Sequence, residues 1–178
     1  MARSSSLNRL QRLTLCALFA ALLCVLSPLA IPIGPIPLSL GLLGVLLTAV
    51  VLPPAMSLTS VSVFLALGLL GLPVFALGTG GAVALLSPTG GFLWSYPILA
   101  PLVSHLARRT NHPLRLTLAC AVALPICYLC GTLQYCLVAQ VPPLAALSTA
   151  VLPFLPFDLI KLPLAAYVGK LLRHHLDP

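Results

Sequence analysis

Apolar positions run along this chain in long unbroken stretches rather than in the one-sided stripe of a water-facing helix. Residues 13–107 contain no Lys, Arg, Asp or Glu, a run of 95 positions, and residues 116–157 form a second such run of 42. Proline and glycine punctuate both runs. Pro28, Pro32, Gly34, Pro35 and Pro37 make one break, Pro53 and Pro54 a second, Gly71 to Gly91 a third, and Pro142 and Pro143 through Pro156 a fourth. The segments between predict helical spans near 13–30, 38–52, 56–72, 88–107, 116–140 and 157–174. Some have only about 15 to 17 residues, the low edge for crossing roughly 30 Å of hydrocarbon at 1.5 Å per residue. Irregular backbone at membrane depth is tolerated where protein or a water-filled cavity covers it. The Gly/Pro-rich segments after the first and third spans are therefore expected to fold over a cavity as lids.

The charges set the expected topology. Basic residues cluster as Arg3, Arg9 and Arg12, then Arg108, Arg109 and Arg115, then Lys170 and Arg173, with Lys161 apart. Short basic clusters flanking apolar runs mark cytoplasmic ends, so the net charge of +7 does not imply nucleic acid. If all three clusters share one side, each intervening run crosses the bilayer an even number of times. Two crossings in the first run would leave over half of it as apolar loop, so four are expected there and two in the second. This predicts one all-α integral membrane domain over residues 1–178, a multi-pass protein of the cell membrane. It has six transmembrane helices, both termini cytoplasmic, and external loops folding over a ligand cavity.

Composition agrees. The chain is 60% apolar and 6% charged with mean hydropathy +1.14, whereas a soluble domain carries about 25% charged residues. A cytosolic enzyme and a secreted disulfide scaffold are excluded, and the length leaves no room for a soluble catalytic domain. Arg9 and Arg12 before an apolar run have the outline of a secretory leader. No small-x-small site follows at Ser27, Pro28, Leu29 and Ala30, so this segment is expected to be retained.

Asp158 is the only acid apart from Asp177, and Lys161 follows it by three positions, on the same helical face. A charge within a span costs on the order of 2.5 to 3.5 kcal/mol, which makes the pair a candidate functional site. A purely structural, self-neutralising ion pair is the alternative. Pro156 fits a first helical turn, which puts Asp158 near the start of the last span and toward the outer leaflet. The carboxylate would accept ligand N–H groups and the ammonium would pair with a ligand carboxylate. Phe75, Phe92, Trp94 and Tyr96 are candidate apolar walls, although Trp94 suits an interfacial belt equally well.

Gly78 to Gly81 and Pro88 to Gly91 permit close backbone approach to a ligand. No phosphate-binding Gly-x-x-x-x-Gly-Lys-Ser/Thr occurs, so no cofactor or ATP site is expected in this chain. The six cysteines, including Cys127 and Cys130, read as small core residues rather than metal ligands. His105, His112, His174 and His175 fall at the expected cytoplasmic ends. Ala17 and Ala21, four apart, let two helices approach closely, either a partner's or one within the chain. An intramembrane enzyme would need a second acid, a nucleophile with a base, or metal ligands in the spans, and the sequence offers none.

Four segments, in order, resemble one family: Ile31 to Pro37 (IPIGPIP), Gly68 to Ala76 (GLLGLPVFA), Ser87 to Phe92 (SPTGGF) with Tyr96 and Pro97, and Leu152 to Lys161 (LPFLPFDLIK). The chain resembles the biotin-specific BioY family, the substrate-binding S-components of energy-coupling factor transporters. The resemblance implies a six-helix bundle with a biotin pocket near the external face, closed by the first and third loops. It implies Asp158 and Lys161 as polar ligand contacts, with Tyr96, Phe92, Phe75, Gly80 and Ser39 as further contacts. It implies docking of a transmembrane T-component at Ala17 and Ala21, with ATP-binding subunits as further partners and membrane lipid around the bundle. An S-component for another vitamin and a stand-alone facilitator are the other readings. The chain departs from the family pattern at Gly41, where a polar residue, often Gln, is expected. It departs again at Pro53 to Met56, which replace basic residues.

Overall fold

The computed structural model describes residues 8–33 and 36–176, with side chains through His174. Arg3, Gly34, Pro35 and Asp177, together with the side chain of His175, lie outside the described residues. Helix α1 (Arg9–Leu26) is followed by a hairpin of β1 (Ala30–Ile33) and β2 (Ile36–Ser39), then α2 (Gly41–Val51) and α3 (Pro54–Leu69). A 3-10 turn (Ala76–Gly78), the short α4 (Ala82–Leu86) and α5 (Gly90–Ala107) come next, then α6 (Pro113–Ala121), α7 (Ala123–Ala139), α8 (Pro143–Ala150) and α9 (Leu155–Leu176).

The proline breaks act mostly as helix starts. Pro54, Pro113 and Pro143 open α3, α6 and α8, where a missing N–H costs nothing and the fixed φ suits the first turn. Helix α1 begins at a capping box, with the Asn8 amide bonded to Gln11 Oε1 at 2.9 Å. The expected span at 116–140 is interrupted at Val122, between α6 and α7. Pro125 supplies the cause, because it has no N–H for the carbonyl of Ala121.

The hairpin is the chief departure from an all-helical reading. Its register pairs Ala30 with Ser39, Ile31 with Leu38, Pro32 with Pro37 and Ile33 with Ile36. The Leu40 amide bonds the Leu29 carbonyl at 3.0 Å, so the alternation of the ladder makes Pro32 and Pro37 a non-hydrogen-bonded pair. Their missing N–H groups would have pointed away from the partner strand, and no ladder bond is lost.

Every residue of α2 is buried. At 11 residues it is only about 16 Å long. It packs against α1, α3, α5 and α9, so protein rather than lipid surrounds its ends. A Cβ on Gly44 would lie 2.9 Å from Leu23, and one on Gly169 would lie 2.6 Å from Val50. Small residues thus set the close approach of α1 and α9 to this central helix. Among the described residues, Arg9–Leu26 and Pro113–Ala139 are long and apolar enough to cross a membrane, and α8 with α9, bent by 54°, would make a third crossing.

Candidate ligand-binding site

Helix α9 opens with Pro156 inside its first turn and Asp158 close behind, the Asp158 amide bonding the Phe154 carbonyl at 2.9 Å. Lys161 follows one turn on, and both residues are buried, at 5% and 7% exposure. Their charges are satisfied in detail. Lys161 Nζ lies 2.8 Å from Asp158 Oδ1 and donates to the Ser39 carbonyl, also at 2.8 Å. Tyr128 on α7 donates its hydroxyl to Asp158 Oδ2 at 2.7 Å. A buried pair offsets its desolvation only when further hydrogen bonds complete it, and here they do. An ammonium has three donors, two of which are used, and each carboxylate oxygen keeps acceptor capacity.

Above this pair lies a cavity of about 90 Å³. Phe92, Tyr96, Tyr128 and Phe154 form aromatic walls, and Ile36 to Ser39 of β2 with Ala76 of the 3-10 turn contribute its hairpin side. Its lining suits a small molecule with an apolar body and a few polar ends. The loop before α5 is tied down by Gln134, whose amide nitrogen donates to the Leu85 and Ser87 carbonyls at 2.8 Å each. Glycines allow the walls to close. A Cβ on Gly131 would overlap the Phe92 ring, and one on Gly91 would overlap the Cys130 carbonyl.

Of the residues singled out in the sequence, Asp158, Lys161, Ser39, Phe92 and Tyr96 meet at this cavity. Phe75 does not line it. Its ring is 1% exposed, fills the space beside Gly68 and meets Phe64 edge-on at 5.5 Å. Gly80 likewise packs against the Leu72 backbone, where a Cβ would collide. Trp94 is half exposed and donates to the Leu85 carbonyl at 3.2 Å. Ala17 and Ala21 face outward from α1, beside exposed Leu18 and Val25, while Ala20 packs inward.

Sequence reasoning missed Tyr128, Phe154, Cys127 and Gln134. Tyr128 and Gln134 are two of the few polar side chains in α7, and that rarity was the available signal. At Gly41 three hydroxyls converge on the space a side chain would take: Tyr96, Ser27 and Ser39 oxygens lie 3.0, 3.1 and 3.2 Å from an added Cβ. All six cysteines are free thiols, and the described residues hold no cluster of three or more metal-ligating side chains.

The model of the BioY family matches residues 1–177. The chain is 37% identical over 166 residues to "Biotin transporter BioY" of Thermotoga maritima, covering 92% of this chain and 96% of that protein. It is 34% identical over 163 residues to "Probable biotin transporter BioY" of Pyrococcus horikoshii, covering 92% and 96%. With "Biotin transporter BioY2" of Lactococcus lactis the match is 46% over 97 residues, and it spans 53% of that protein. A crystal structure of the S-component for biotin from an ECF-type ABC transporter superposes with a TM-score of 0.87 at 27% identity, covering 98% of this chain and 95% of that one.

Proposed function

The chain belongs to the BioY family, and from that premise we propose that it is a biotin uptake protein, the S-component of an energy-coupling factor transporter. Its relatives are transporters rather than enzymes. The observation that carries the reading is the buried Asp158–Lys161 pair at a cavity with aromatic walls. Biotin is chemically complementary to it. Its ureido N–H groups need an acceptor such as Asp158, its valerate carboxylate needs a cation such as Lys161, and its thiophane ring and chain suit Phe92, Tyr96, Tyr128 and Phe154.

The chain crosses the cell membrane six times with both termini cytoplasmic, and the hairpin and the segment from Gly71 to Gly91 cover the pocket outside. The basic clusters support this orientation, as does the placement of the ion pair at the opposite end of α9 from Lys170 and Arg173. Ala17 and Ala21, exposed on α1, are the docking face for a T-component, and the ATP-binding subunits are separate chains. No cofactor is required.

Titration of the purified, detergent-solubilised protein with biotin tests the reading. Saturable tight binding, competed by biotin and not by a panel of other vitamins, is expected; displacement by a different vitamin would reassign the substrate. Uptake into proteoliposomes with and without the T-component and ATPases separates coupled transport from stand-alone facilitation.

A further inference from the structure

Four elements meet at one corner of the cavity. Ser27 closes α1, Ser39 ends β2, Gly41 opens α2, and Tyr96 comes from the second turn of α5. The three hydroxyl oxygens surround the spot where Gly41 has no side chain, at 3.0 to 3.2 Å from an added Cβ. Ser27 is 1% exposed and Tyr96 5%, yet both line the cavity, as does Ser39.

The hydroxyls differ in what they have left to offer. Ser39 Oγ donates to the Ser27 carbonyl at 2.7 Å and accepts the Gly41 N–H at 2.8 Å, which fixes it in place. Among the described residues no hydrogen bond reaches the Ser27 or the Tyr96 hydroxyl. Buried polar groups are almost always hydrogen-bonded, so two open donors at a cavity wall mark a place for an acceptor. The corner also lies at the start of α2, where the positive end of the helix dipole favours an oxygen carrying partial negative charge.

Asp158 narrows the choice of acceptor. Lys161 Nζ lies 2.8 Å from both the Ser39 carbonyl and Asp158 Oδ1, so the hydroxyl corner and the carboxylate are neighbours. A group that suits both presents a carbonyl oxygen beside an N–H. A urea does so, with one oxygen flanked by two N–H groups. A carboxylate does not, because it has no N–H and would meet Asp158 with like charge.

We propose that Ser27 and Tyr96, with Ser39 holding the corner over Gly41, form a donor pocket for a urea-type carbonyl oxygen of the ligand, while Asp158 takes an adjoining N–H. The proposal rests on the biotin reading, in which that oxygen is the ureido oxygen. It makes Ser27 a specificity-determining residue and gives the glycine at position 41 a use, as room for a ligand atom where a side chain would sit.

Calorimetric titration of the detergent-solubilised full chain with biotin, biotin amide and 2-thiobiotin tests it. In 2-thiobiotin a sulfur, a weak acceptor, replaces the ureido oxygen. Wild-type protein is expected to prefer biotin to 2-thiobiotin. Ser27→Ala with Tyr96→Phe should weaken biotin and biotin amide alike, by about tenfold or more, and leave 2-thiobiotin nearly unchanged. Should the double variant not fold, Ser27→Ala alone carries the test with the same order of ligands. Undiminished biotin affinity in the variants, or an equal loss for all three ligands, overturns the donor pocket. A loss for biotin that biotin amide does not share moves the hydroxyls to the carboxylate end and overturns the assignment. Wild-type protein that binds no biotin overturns the substrate reading itself, and the ureido assignment with it.

Discussion

Lys161 Nζ and the main-chain carbonyl of Ser39 lie 2.8 Å apart, although 122 positions separate them in the chain. The cation that would grip a ligand carboxylate therefore also holds the end of the hairpin over the cavity. Replacing it should affect ligands unequally. Lys161→Ala is expected to weaken biotin far more than biotin amide, measured by titration of both; equal losses would remove the assignment of Lys161 to the carboxylate.

Stability should show the reverse asymmetry between single and double changes. Removing one partner of a buried pair strands the other charge, at a cost of about 3–5 kcal/mol, whereas replacing both with apolar groups is often near neutral. Lys161→Met alone and Asp158→Leu alone should each lower thermal stability markedly. The double variant should sit closer to wild type than either and bind no biotin. Additive losses of stability would contradict a mutually dependent pair.

Tyr128→Phe tests how the carboxylate is aimed. The hydroxyl bonds Asp158 Oδ2 at 2.7 Å, and a hydrogen bond to a charged group contributes about 1.5–3 kcal/mol. Biotin affinity is expected to fall roughly tenfold or more, by that range, with little change in the cavity's apolar surface. A gain in affinity would mean that Tyr128 competes with the ligand for this oxygen.

Two glycines on the α5–α7 seam should separate binding from folding. Gly131→Ala forces the Phe92 ring to move, and that ring is a cavity wall, so biotin binding should suffer first. Phe92→Leu in the same chain should recover part of it. Gly91→Ala meets the rigid Cys130 carbonyl, and overpacking of about 1–3 kcal/mol should appear in thermal unfolding. Identical profiles for the two variants would argue against distinct roles.

Arg173 should be structural where Lys170 is not. It bonds carbonyls at the ends of two helices, so Arg173→Ala should cost about 2 kcal/mol or more, read as a lowered melting temperature. Arg173→Lys should not restore it, because a point ammonium lacks the fork that reaches both. Lys170→Ala, at an exposed position, should leave the melting temperature nearly unchanged.

Much of this was legible one segment at a time. Charge-free runs marked the chain as rich in apolar helix, and the i,i+3 spacing of Asp158 and Lys161 put both on one face of α9. What depended on distant partners was not. The hairpin escaped notice because its prolines read as breakers, and only the register shows that Pro32 faces Pro37 where no bond is required. Phe75 carries the aromatic chemistry of a pocket wall, yet Gly68 leaves a hollow that draws its ring into the core. Tyr128 and Gln134 act across helices, on Asp158 and on the Leu85 and Ser87 carbonyls, contacts that no local spacing encodes. Arg173 was read as a marker of membrane side, a role compatible with the helix-capping one that its bonds disclose.

Both Lys161 and Arg173 belong to α9, the last of these helices to leave the ribosome. At about 5–20 residues per second, roughly 6 to 24 s separate the synthesis of Ser39 from that of Lys161, 122 positions later. Throughout that interval the hairpin lacks its ammonium and the Val50 and Ala107 carbonyls lack their guanidinium. The pocket is thus completed late in biogenesis, and a chain stalled before α9 would have the aromatic walls of Phe92, Tyr96 and Tyr128 without the Asp158–Lys161 pair.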